Sequence, residues 1–112
     1  MARQSPRAML TKLLKAWSAD TSSKWRPDNP ALGQCSVTAL VLHDIYGGDI
    51  LKTYVRGAWH FYNRIDGERY DLTVSQFAEP IVYDDIISNR SEALNDTSPE
   101  QYAALRGHLC SE

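Results

Sequence analysis

The sequence predicts an α+β fold, with helices packed on a small three- to four-stranded antiparallel sheet. Three observations carry that prediction. Apolar residues recur at helical spacing near both ends and across residues 34–46. Aromatic and β-branched residues crowd the stretch on either side of Asp66-Gly67, the strongest short hairpin signal available. The strand segments follow one another instead of alternating with helices, which favours an antiparallel sheet over a βαβ arrangement.

The first helix is expected over about residues 6–18. Ser5 can cap it, Pro6 suits its first turn, and Met9, Leu10, Leu13, Leu14 and Trp17 form its apolar stripe. Residues 18–33 hold Asp, Ser, Asn, two prolines and a glycine, and read as a long connection with its own aromatic, Trp25. The second helix is expected over about residues 34–46, stopped by Gly47-Gly48. Asp49 to Val55 reads as a strand, and Arg56-Gly57 turns the chain. Ala58 to Ile65 and Glu68 to Leu72 form the hairpin around Asp66-Gly67. Thr73-Val74-Ser75-Gln76 has the capping-box pattern and predicts a helical turn. Pro80 to Ile87 suggests another strand. A last helix begins at Ser98 as N-cap, with Pro99 in its first turn, Gln101 at the box position, and Tyr102, Leu105 and Leu109 on one face.

At 112 residues the chain is expected to be one domain, residues 1–112, large enough for its own core without disulfides or metals. Its 43% hydrophobic and 23% charged residues are ordinary for a globular protein. A net charge of −2, from 12 basic and 14 acidic residues, gives no electrostatic footprint for nucleic acid. No apolar run is long enough to span a membrane, and no signal-peptide pattern opens the sequence. The expected location is the cytoplasm. Two cysteines, Cys35 and Cys110, are no disulfide framework, and a reducing cytosol disfavours a bridge between them.

Three residues carry candidate chemistry. Cys35 lies in the first turn of the second helix, where the partial positive charge of the helix end favours thiolate over thiol. His60 and Asp71 lie on the two strands of the hairpin. A two-residue Asp66-Gly67 loop pairs Ile65 with Glu68, sets Tyr62 opposite Asp71, and sets His60 opposite Thr73. His60 and Asp71 are then diagonal neighbours on one face, roughly 7–8 Å or less between Cβ atoms, a gap their side chains can bridge. An imidazole oriented by a carboxylate is the second half of a nucleophile triad. The other face, with Phe61, Ile65 and Leu72, carries more apolar residues and is expected to hold the main core. The open question is how Cys35 reaches the His60 face.

Further residues have two readings each. Gln34 is an oxyanion-hole donor or a solvated residue at a helix start. Trp25 offers an indole N–H or fills core. Trp59 and Tyr62 line a substrate groove or pack within the sheet. Asn63 contacts substrate or satisfies buried backbone. Cys35, His43, His60 and Asp71 have zinc-ligand chemistry but no recognised ligand spacing, so no metal and no cofactor are expected. Asp84-Asp85 reads as a solvated edge, and Gly47-Gly48 as a helix stop instead of a phosphate loop.

Asn29-Pro30, Gly33-Gln34-Cys35, Thr38-Ala39-Leu40, Gly47-Gly48, His60 to Ile65 and Asp71 to Phe77 occur in that order over about residues 17–105. The series resembles the YunG-like family of small bacterial proteins. More distantly it is similar to the transglutaminase-like branch of the papain-like fold, whose members are mostly larger. That resemblance implies Cys35 as nucleophile, His60 as base and Asp71 as orienter, on a core with the cysteine at a helix N-terminus. The expected activity is that of a cysteine hydrolase or acyltransferase on an amide or thioester of a peptide, protein or small molecule. The alternative is a catalytically inactive member of the fold that binds a peptide or partner protein.

Overall fold

A computed structural model describes residues 4–110. It is an α+β structure of four helices and one four-stranded antiparallel sheet, α1 Met9–Ala16, α2 Cys35–Tyr46, β1 Asp49–Val55, β2 Ala58–Ile65, β3 Glu68–Tyr70, β4 Ile86–Ile87, α3 Arg90–Asn95 and α4 Pro99–Cys110. The strand order is β3-β2-β1-β4.

Helix α1 is shorter than its apolar pattern. A turn precedes it, in which the Ala8 N–H donates to the carbonyl and hydroxyl oxygens of Ser5. Met9, Leu13 and Ala16 form the buried face, spaced by four and three residues. Leu14, one residue further round, is exposed. Trp17 has already left the helix in an extended conformation, and its indole Nε1 donates to Thr38 Oγ1 on α2 at 2.9 Å.

Every residue of α2 from Cys35 to Leu42 is buried, because the helix is packed on two sides. One side joins Met9, Leu13, Trp17, Val37, Val41 and Leu105 in a core shared with α1 and α4. The other joins Cys35, Ala39, Leu40, Ile50, Phe61 and Ala93 against the sheet and α3. Gly47 and Gly48 end the helix, both with positive φ. A Cβ at Gly48 would sit 2.3 Å from the Arg64 carbonyl oxygen, so only glycine lets the chain enter β1 this close to β2.

The hairpin register is the expected one: Ile65 pairs with Glu68, Arg64 with Arg69 and Asn63 with Tyr70. Asp66 and Gly67 both have positive φ, as a type I′ turn requires. Arg56 and Gly57 make the same kind of two-residue turn between β1 and β2. Strand β3 stops at Tyr70, two residues before the expected end. Asp71 Oδ1 instead accepts from the Thr73 N–H and hydroxyl, turning the chain out of the sheet into a 3-10 turn at Val74–Gln76. That turn lacks the expected cap, since the Thr73 side chain accepts from none of its backbone N–H groups. Gln76 Nε2 donates to Thr73 O and Oγ1 instead.

The strand expected over 80–87 shrinks to Ile86–Ile87, paired with Lys52 and Leu51 of β1. Residues 80–85 are irregular, and Asp85 has positive φ, which breaks the extended run. Helix α3 has no counterpart among the expected elements. Its signal was present in Asn89-Arg90-Ser91-Glu92, where the Asn89 side chain caps the helix by accepting from the Glu92 N–H. Ser98 caps α4, its hydroxyl accepting from the Gln101 N–H at 3.1 Å. Cys35 is a free thiol. The Cys110 side chain, and so any bridge to it, lies outside the described residues.

Candidate active site

Three elements converge on one cleft. The start of α2 brings Cys35, the middle of β2 brings His60, and the turn after β3 brings Asp71. His60 Nε2 and Asp71 Oδ2 are 2.7 Å apart, with both side chains almost fully buried at 3% and 5% exposure. Packing fixes the ring: Phe77 meets it edge-on at 4.9 Å, and Tyr62 stacks at 5.9 Å. The Cys35 thiol stands beside the imidazole, close enough to favour its protonated form. No well-formed hydrogen bond joins them, and buried Nδ1 has no hydrogen-bond partner, which leaves it as the ring nitrogen for the thiol.

The electrostatics follow from that placement. Burial pulls the His60 pKa down. The hydrogen bond to Asp71, the contact with Cys35 and the charges of both outweigh burial and lift the pKa to about 9. At neutral pH the ring therefore carries its second proton, between the Asp71 carboxylate and the Cys35 sulfur.

Asp71 is held on both oxygens. Oδ1 accepts from Thr73 N and Oγ1, each at 3.3 Å. Oδ2, besides meeting His60, accepts from the Tyr83 hydroxyl at 2.8 Å. Gln76 ties this side of the cleft to the approach to Cys35. Its Oε1 accepts from the Gly33 N–H at 3.4 Å, and its backbone carbonyl accepts from Asn29 Nδ2 at 3.3 Å.

The cleft encloses about 200 Å³ and is lined by Cys35, His60, Trp59 and Phe77, with Lys24 and Asp96 supplying its charges. Sites that enclose drug-sized ligands run from roughly 300 to 1,000 Å³, so this one has room for a single side chain or acyl group. Partial burial pushes the Asp96 carboxyl above its ordinary range, against the opposing pull of the Ser36 hydroxyl and the Lys24 charge.

The accessory residues divide. Trp59 is on the cleft wall, with Lys52 Nζ 4.4 Å from its ring centre. Gln34 is fully buried, which removes the reading of a solvated helix-start residue. Its Oε1 accepts from Thr21 Oγ1 at 2.8 Å, and its Nε2 has no hydrogen-bond partner. Trp25 does not line the cleft; it packs against the α1–α4 core. Asn63 spends its amide on the Ala39 carbonyl at 3.1 Å, joining β2 to the body of α2 as a backbone-satisfying residue. His43 faces Arg90, with Nδ1 and Nη1 3.0 Å apart, and so stands apart from Cys35 and His60. Asp84 is exposed and Asp85 half-buried, as a solvated edge expects, and both are also bonded: Asp84 to Thr53, and Asp85 to Tyr62 and Arg69.

Sequence reasoning did not single out Tyr83, Asp96 or Lys24. Thr73 had a signal, since a hydroxyl residue two positions after an Asp is an Asx-turn pattern. Tyr83 had none, because its segment has no periodicity. Among the described residues, no group of three or more His, Cys, Asp or Glu could hold a metal ion, and no helix is long and apolar enough to cross a membrane.

Comparison with known proteins agrees with this series of motifs. A protein of Bacillus subtilis (strain 168), described as "Uncharacterized protein YunG", is 53% identical over 94 residues, covering 84% of this chain and 82% of its own. No solved structure matches the chain. The family model described as YunG protein matches residues 5–112, which takes in the cysteine, the hairpin and the Asp71 turn together, and the chain belongs to the YunG family.

Proposed function

We propose that this protein is a cysteine hydrolase or acyltransferase acting on an amide or thioester, with a papain/transglutaminase-like arrangement of its core. One observation carries the reading: a buried imidazole, bonded at 2.7 Å to a buried carboxylate, stands beside a free thiol in the wall of a cleft. His60 holds the proton that Cys35 gives up, favoured by its raised proton affinity, so the sulfur reacts as the thiolate of a thiolate–imidazolium pair. The thiolate adds to the carbonyl carbon, and the resulting oxyanion is received by the Cys35 N–H at the start of α2, while the fully buried Gln34 side chain, which does not line the cleft, takes no part. As the bond to the leaving group breaks, His60 returns the proton to the departing amine or thiol. Water, or an acceptor nucleophile, then releases the acyl group from Cys35 and regenerates the thiol. Asp71 keeps Nε2 occupied, so the ring presents Nδ1 to the sulfur. The small cleft suits a side-chain carboxamide or a short acyl group on a peptide, protein or small molecule. Neither metal nor cofactor enters these steps, and the setting for a free thiol is the reducing cytoplasm.

The test is iodoacetamide alkylation of Cys35 across pH, read by intact mass. The folded protein is expected to alkylate at Cys35, and His60→Ala to move the reaction midpoint upward. A Cys35 that labels only on unfolding would sink the proposal and leave the peptide- or protein-binding module in its place.

A further inference from the structure

We propose, resting on the thiol-site reading above, that Tyr83 is a positioning residue for that site: its hydroxyl holds the Asp71 oxygen that orients the His60 ring. Oδ2 of Asp71 receives two short contacts, 2.7 Å from His60 Nε2 and 2.8 Å from Tyr83 Oη. The two bonds on Oδ1, both from Thr73, are long at 3.3 Å. The short phenol bond therefore does most to keep the carboxylate plane facing the imidazole. Burial and the bond to Asp71 both push the Tyr83 phenol up, so it stays a donor across the working pH range.

Tyr83 is itself clamped. Its ring meets Tyr62 at 4.9 Å and an interplanar angle of 69°, and the Arg69 guanidinium lies 4.5 Å from its centre. Arg69 Nε and Nη2 donate to the two oxygens of Asp85. Asp85 in turn accepts from the Tyr62 hydroxyl at 2.9 Å, while its own N–H donates to that hydroxyl at 2.8 Å. Tyr62 also stacks on His60, so the clamp closes back on the imidazole. The charged and titratable groups around the ring are Cys35 from α2, Tyr62 from β2, and Asp71 and Tyr83 from the segment beyond β3. Arg69 and Asp85 lie behind Tyr83, and Lys24 and Asp96 lie across the cleft.

Tyr83→Phe removes the hydroxyl and keeps the ring packing. NMR titration of the His60 ring is expected to place its midpoint near 9 in the native protein and lower in Tyr83→Phe. A fall of roughly half to one pH unit is expected and is read in the ring titration itself, because the ring stays protonated at neutral pH in both proteins. Asp85→Asn, which loosens the clamp without touching Asp71, is expected to act in the same direction and less strongly. Tyr70→Phe, which loses only a hydroxyl bonded to Glu68, is expected to leave the midpoint unchanged. A folded Tyr83→Phe protein whose His60 midpoint stays or rises overturns the assignment. If that variant does not fold, Asp85→Asn decides by the same criterion. Failure of the thiol-site reading is seen separately, as equal alkylation in the native protein and His60→Ala, and the ring titration still decides the role of Tyr83.

Discussion

The two sides of the cleft are built in different ways. Cys35 and His60 stand on regular elements, since α2 is packed on two sides and β2 is paired with β1 from Ala58 to Arg64. Asp71 and Tyr83 stand on a stretch, residues 71–85, that forms one 3-10 turn and no strand. Side chains hold that stretch instead: Asp71 to Thr73, Gln76 to Gly33, Tyr83 to Asp71, Asp84 to Thr53 and Asp85 to Arg69. The framework places Cys35 and His60, and the irregular segment supplies the carboxylate bonded to the His60 ring. Stability need not be shared evenly between two such regions, because local opening costs least where few backbone bonds must break.

The framework breaks most severely at Gly48. Alanine there would need positive φ, and its Cβ would meet a backbone oxygen that no side-chain rotation can move aside. Gly48→Ala is expected to cost roughly 3 kcal/mol or more, combining left-handed strain with the forced separation of β1 from β2. Urea unfolding followed by fluorescence measures it. Gly67→Ala, in the hairpin turn where an added Cβ meets nothing within 4 Å, provides the comparison and is expected to cost less.

The junction between the regions is sensitive to pH. His60 has its folded pKa raised from 6.5 to about 9, so its contribution to stability is fully present below 6.5. It declines as pH rises and is lost once pH passes about 9. At roughly 1.4 kcal/mol per tenfold change in proton affinity, the contribution is on the order of 3 kcal/mol. Urea midpoints are therefore expected to fall between about pH 6 and pH 10, and the fall to flatten in His60→Gln. An unchanged slope in that variant would show that the Asp71–His60 pair is not what titrates.

The same division governs what the sequence made legible. The hairpin register followed from Asp66-Gly67 alone, because a two-residue turn with positive φ leaves one pairing. That pairing put His60 and Asp71 on one face. The end of α2 followed from Gly47-Gly48, and the start of α4 from Ser98-Pro99. Helix α3 was missed although Asn89 and Glu92 had the capping spacing, because six residues are too few to show periodicity. The irregular segment left no trace of its organisation. Tyr83 reaches Asp71 through a fold-dependent path that no local spacing encodes, and Pro80 to Ile87 suggested a longer strand than Ile86–Ile87. Gln34 misled for a related reason: a polar residue at a helix start is read as solvated unless its buried partner, here Thr21, is known.

The finest comparison concerns Thr53, which belongs to the framework but anchors the irregular segment. It sits in β1, fully buried and opposite His60 across the ladder. Its hydroxyl accepts from the Asp84 N–H at 3.0 Å and has two acceptors in reach, Val82 O at 3.0 Å and Asp84 Oδ2 at 3.1 Å. Thr53→Val keeps the β-branched shape that suits the strand and removes only those bonds. The Asp84 N–H and the Val82 carbonyl then lose their partner in the strand, which costs about 1–3 kcal/mol where water cannot replace it. If the segment is held by side chains as described, the loss is local. Amide exchange is expected to quicken at Asp84 and Asp85 while the amides paired between β1 and β2 keep their protection. The His60 midpoint is expected to shift with it, because Tyr83 lies between the two residues released. Uniform acceleration across the sheet would mean that the segment and the framework open as one unit, and that the irregular side of the cleft is no softer than the side that carries Cys35.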